Sequence, residues 1–124
     1  MRRKEQKTKC TKLNLSKSDE VVRLYDPIMV AYAKKLEADP KVTHIACNVP
    51  LEGVEGDKYT TDFVYRTTDG QTVVRECVYR HLVTRPKTMK LLDVSWYYWK
   101  ERGVTDWGLV VDKKKEEADT DEEW

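Results

Sequence analysis

The chain has 124 residues, the size of one ordinary domain and too short for two. With 40% hydrophobic and 36% charged residues, four Trp and seven Tyr, it reads as a soluble globular protein with a sizeable core and a heavily charged surface. No stretch approaches the ~20 apolar residues of a membrane helix, and the opening MRRKEQKTKC lacks the apolar run of a signal peptide, so a cytoplasmic protein is expected.

Net charge is only +1, but its distribution is uneven. Residues 1 to 17 carry seven cations (Arg2, Arg3, Lys4, Lys7, Lys9, Lys12, Lys17) against Glu5 alone. Residues 1–15 are therefore expected to form a basic, flexible arm able to lie along phosphates. Residues 113–124 hold three Lys and six acids before the terminal Trp124, and read as a disordered, solubilising tail. The domain itself is expected over 16–112. Cys10, Cys47 and Cys77 are odd in number and widely spaced, without a CxxC pair or a His at metal-ligand spacing, so a zinc site is not expected. Cys47 and Cys77 sit in apolar, strand-like stretches and read as small buried hydrophobes rather than catalytic thiols. His44 and His81 accompany no recognisable nucleophile motif.

In chain order, Ser16-Lys17-Ser18-Asp19-Glu20 offers capping hydroxyls followed by acids, which predicts the start of a first helix. Asp26-Pro27 places a cap before a first-turn proline, predicting a second helix or a kinked continuation over Ile28–Ala38 that Asp39-Pro40 stops. Val42–Val49 is β-prone, and Leu51–Asp57, with two glycines, reads as a loop. Tyr59–Tyr79 predicts a β-hairpin about Thr68-Asp69-Gly70. With a three-residue turn and Gly70 left-handed, paired residue numbers sum to 138 and Asp62 faces Glu76. With a two-residue turn they sum to 139, and Glu76 goes to the other face. A long helix is expected over Lys87–Arg102, ended by Gly103, with Met89, Leu92, Trp96 and Trp99 as its core-facing stripe. Trp107–Val111 closes the order as a buried strand. The expected sequence of elements is helix, helix, three strands, helix, strand, without internal repeats.

Two acids opposed on adjacent strands repel unless a cation or proton relieves them, so an opposed Asp62 and Glu76 would form a divalent-metal site. The bland alternative is that one or both are solvent-facing strand residues.

Several runs bear on that choice. Thr61-Asp62-Phe63, Arg75-Glu76-Cys77-Val78, the helix Lys90-Leu91-Leu92 to Tyr98-Trp99, and Arg102-Gly103-Val104-Thr105-Asp106-Trp107-Gly108-Leu109-Val110 resemble the catalytic domain of the TnsA-type transposon endonucleases. Glu37-Ala38-Asp39-Pro40-Lys41-Val42 leading to Asn48-Val49-Pro50 adds to the likeness, which spans roughly residues 16 to 112. The resemblance implies an α/β (α+β) fold of the restriction-endonuclease-like, PD-(D/E)XK kind: a central mixed sheet flanked by helices. It also implies cleavage of double-stranded DNA at transposon ends with Mg²⁺ (or Mn²⁺), beside a partner transposase.

Residue by residue, Asp62 matches the family's metal-binding Asp and Glu76 its next acidic or amide position. Where the family has its catalytic Lys this chain has Val78, and Arg80, taken to lie further along the same strand face, or Lys90 on the following helix would have to replace it. The family's helix acid aligns near Met29, leaving Asp26, about one turn earlier, as the possible third metal ligand. The extra C-terminal domain of such endonucleases has no counterpart before the acidic tail. Three functions follow. One is a metal-dependent endonuclease. The second is a catalytically degenerate DNA-binding module using Arg75, Arg80, Arg85, Lys87 and Lys90. The third is a protein-interaction factor on the same scaffold.

Overall fold

Asp26 and Pro27 start the first helix as local chemistry dictates. In the computed structural model, which describes residues 2–3, 9–53 and 59–112, Asp26 is extended and its Oδ1 accepts the Met29 amide at 3.0 Å. Pro27 occupies the first turn of α1 (Pro27–Ala38) and Asp39 ends it. The 12-residue helix buries Ile28, Met29, Tyr32, Ala33 and Leu36, the stripe that a 3.6-residue period produces.

Before α1 lie three short strands: β1 (Arg2–Arg3), β2 (Thr11–Leu13) and β3 (Val22–Leu24). β2 and β3 pair antiparallel as a small sheet of their own. Two of these strands fall within the basic arm expected over 1–15. After α1 come β4 (Val42–Pro50), β5 (Tyr59–Thr67) and β6 (Thr72–Cys77), a meander of antiparallel neighbours. The short α2 (Arg80–Val83) and long α3 (Pro86–Glu101) then cross over to β7 (Asp106–Val110), which pairs parallel to β6. Arg2 and Arg3 add to the edge of β5 beyond β6. The result is a mixed α/β fold: a mixed sheet covered by α1 on one face and, by the alternation of β6, α3 on the other. Among the described residues no helix is long and apolar enough to cross a membrane.

The hairpin takes the three-residue turn. Phe63 pairs with Arg75, Val64 with Val74, Tyr65 with Val73 and Arg66 with Thr72, all in the 138 register. Gly70 has φ +85°, and the Thr67 amide donates to the Gln71 carbonyl at 3.0 Å.

Four expectations are corrected. No helix starts at Ser16–Glu20. The Ser16 amide and hydroxyl donate to Glu37, the Ser18 hydroxyl donates to the Ile45 carbonyl, and the Lys17 ammonium bonds the Leu36 and Asp39 carbonyls at the end of α1. The chain then alternates into β3, with Val22 and Leu24 inward. Second, α3 buries Leu92 and Ser95, while Met89 and Trp96 are exposed and Trp99 is half-buried; two helix ridges lie on the sheet, and the Trp96 ridge faces water with Lys100 over its ring. Third, Arg80 begins α2 and is not on the β6 strand face. Fourth, β7 is an edge strand, half-buried until Val110, with Leu109 exposed. The acidic tail with Trp124, and residues 54–58 of the loop, lie outside the described residues.

Candidate functional site

At the end of the β5–β6 hairpin the backbone ladder gives way to side chains. One step past the Phe63–Arg75 pair, the Asp62 amide donates to Glu76 Oε1 at 3.0 Å, and the Cys77 amide donates to Asp62 Oδ2 at 2.8 Å. Each carboxyl thus accepts a backbone N–H from the opposite strand, the role a carbonyl would play in a regular ladder. Asp62 is 1% exposed and Glu76 is fully buried. The other oxygen of Glu76 accepts the Ser95 hydroxyl at 2.5 Å, and Ser95 Oγ accepts the Trp107 indole N–H at 3.0 Å. Beside this chain, the Trp99 indole donates to Thr61 Oγ1 at 2.8 Å. Burial raises the Glu76 carboxyl above its ordinary range, and the neighbouring Asp62 charge pushes the same way, against the Ser95 hydrogen bond.

Asp26 and Asp62 line one pocket of about 290 Å³, with Cys77, Val78, Leu82, Thr88 and Leu91 among its other walls. Of the three acids expected to hold a divalent cation, two therefore come together from α1 and β5. The third, Glu76, is turned to Ser95. Among the described residues no group of three or more His, Cys, Asp or Glu side chains is placed to hold a metal ion. The pocket's walls include two carboxylates, with Thr88 and Tyr79 as further oxygen-bearing side chains among apolar ones. A magnesium ion would have to complete its octahedron with waters or phosphate oxygens there. Burial, with the Asp62 charge adding to it, pushes the Cys47 thiol up to about 12 and Cys77 higher still, so both remain protonated at neutral pH.

The expected cations are dispersed. Arg80 donates its amide to Asp112 Oδ1 at 2.6 Å and its Nε to the Asp112 carbonyl, and it lines a different pocket from Asp62. Arg75 is tied to Asp106 Oδ1 at 2.8 Å. Arg85, Lys87 and Lys90 are exposed at the start of α3, whose first turn holds no acid, so the positive helix end and three cations act together. Thr88 and Leu91 of the same turns wall the Asp62 pocket.

Ser95 and Trp107 were not singled out from sequence as site residues. The available signal for Ser95 was a small hydroxyl three residues after Leu92, on the ridge that faces the sheet. No family model and no curated protein matches the chain. Fold and site thus define a mixed α/β protein with an interlocked, buried carboxyl pair at one end of its sheet.

Proposed function

We propose that this chain is a restriction-endonuclease-like domain of the TnsA-type kind, from a mobile genetic element, that binds double-stranded DNA and does not hydrolyse it. The reading rests on one observation: buried Glu76 accepts the Asp62 amide at one oxygen and the Ser95 hydroxyl, itself held by Trp107, at the other, beside a Val78 that cannot steady water or a leaving group. Affinity comes from phosphate contacts to Arg85, Lys87 and Lys90 at the start of α3, with a transposase or another mobile-element protein as partner.

A second reading keeps the nuclease, because Asp26 and Asp62 share a pocket. They would then be the metal ligands. Mg²⁺, when bound, would supply an activated water and charge stabilisation at the phosphodiester.

The test is duplex binding by fluorescence anisotropy across a salt series, run beside nicking of supercoiled plasmid in Mg²⁺ and Mn²⁺. Wild type should bind with an affinity that falls as salt rises and leave the plasmid intact. Removing Arg85, Lys87 and Lys90 together should reduce the salt slope by about 3, near one per phosphate contact. Metal-dependent nicking abolished by Asp62→Ala overturns the proposal in favour of the second reading. No DNA affinity at physiological salt overturns both and leaves the fold as a protein-interaction scaffold.

A further inference from the structure

A second pocket, of about 410 Å³, opens where α1, β5, β6 and β7 meet, and none of its walls belongs to the Asp62 pocket. Lys35, Arg75 and Arg80 reach it from three different elements, against one carboxylate, Asp39. Three cations lining one hollow repel one another, and an anion bound among them would relieve that repulsion.

The two guanidinium groups are held in place before any ligand arrives. Arg75 Nη1 donates to the Val74 carbonyl at 2.9 Å and the Asp106 carbonyl at 3.3 Å, while Nη2 meets the half-exposed Asp106 carboxylate. Its fork lies on the backbone of β7 because residue 108 is glycine. A Cβ there would come within 3.3 Å of Nη1, tighter than ordinary contact. Arg80 is fixed by the Asp112 carbonyl. The Asp106 carboxylate offsets part of the Arg75 charge, whereas the Arg80 guanidinium is oriented by a backbone carbonyl that leaves its charge intact, and neither Asp106 nor Asp112 is among the pocket's walls.

The remaining walls add a donor and an apolar side. The Tyr32 and Tyr65 hydroxyls lie 3.2 Å apart, so one proton bridges the pair and the second is left for another acceptor. Burial, then the bond to Tyr65, raises Tyr32 above the ordinary phenol range and keeps it protonated. Leu36, Leu109 and Val110 form the apolar side. The volume lies within the range of small-molecule sites.

We infer that this pocket binds a phosphate monoester carried on a small planar or apolar body, its dianion on Arg75, Arg80, Lys35 and the tyrosine hydroxyl. Nucleoside 5′-monophosphates and the 5′-phosphorylated ends of DNA both present this chemistry. The site is independent of the DNA contacts proposed for α3.

Calorimetric titration of the full chain with thymidine 5′-monophosphate, with thymidine, and with a short duplex carrying or lacking 5′-phosphates tests this. The monophosphate should bind and thymidine should not. Lys35→Ala and Arg80→Gln should each weaken binding about tenfold, the loss of one charge-assisted contact, while melting temperatures show that both variants fold. The variant lacking Arg85, Lys87 and Lys90 should keep monophosphate affinity while losing duplex affinity, which separates this site from the α3 contacts. A stronger response to the phosphorylated duplex assigns the site to DNA ends, and a stronger response to the free monophosphate assigns it to nucleotides. Either supports the inference. It is overturned if no phosphorylated probe binds at millimolar concentration, if thymidine binds as tightly as its monophosphate, or if both variants bind as wild type does.

Discussion

Against α1 the sheet presents Ile45, Phe63, Tyr65, Val73 and Cys77, which meet Ile28, Met29, Tyr32, Ala33 and Leu36 in one apolar cluster. Toward α3 it presents Glu76 and Thr61, and the helix answers with the Ser95 hydroxyl to the first and the Trp99 indole N–H to the second. The first face is held by burial that has no direction and tolerates small shifts. The second is held by hydrogen bonds between named atoms, which fail together when one partner is lost, because buried polar groups left unpaired are costly. α3 then spends its other ridges on water, exposing Met89, Trp96 and Tyr97, so it is fixed to the sheet by few contacts of high specificity.

Truncating the apolar face should have the largest effect. Phe63→Ala, at a fully buried position between β4 and β6, should cost about 3–5 kcal/mol, lowering the urea midpoint without changing the m-value. On the other face, Glu76→Ala strands the Ser95 hydroxyl and the Asp62 amide and should cost about 3 kcal/mol, whereas the isosteric Glu76→Gln should cost about 1 kcal/mol or less. If Ala and Gln are equally damaging, hydrogen bonding is not what holds α3. Glu76→Gln also isolates the pH response. A carboxyl raised in the folded state contributes full stability below its ordinary value of 4.5 and loses it as pH rises through the raised folded value. Wild-type stability should therefore fall from acid toward neutral pH by more than that of Glu76→Gln in paired denaturation curves. The smallest effect is expected at the solvent ridge, where Trp96→Ser should change stability by no more than about 0.5 kcal/mol, since the ring is 43% exposed.

Legibility in sequence followed how local each determinant was. Asp26-Pro27 carried α1 because cap and first turn are contiguous, and Thr68-Asp69-Gly70 carried the hairpin register because the left-handed glycine sits inside the turn it makes. The register in turn set Asp62 opposite Glu76. Ser16–Glu20 misled because hydroxyls and acids that cap a helix serve equally well to bond Glu37 and Ile45 from a distance. The tryptophans misled for a related reason: spacing of three and four defines a stripe, but which neighbouring ridge meets the sheet is decided by Glu76, whose partner is Ser95. The candidate site was half legible. Asp62 and Asp26 do share a pocket, but the commitment of Glu76 to Ser95 and Trp107 depends on a crossover of two helices that no short motif encodes.

That crossover also sets an order of events. A nascent chain that has reached Cys77 already contains the hairpin, but Ser95 lies 19 residues after Glu76 and Trp107 12 beyond that. When α3 and β7 close over Glu76 the carboxyl leaves water and its proton affinity rises, so folding takes up protons at pH values between the ordinary and the raised one. The residue at the centre of this lock is thus made well before the parts that close over it.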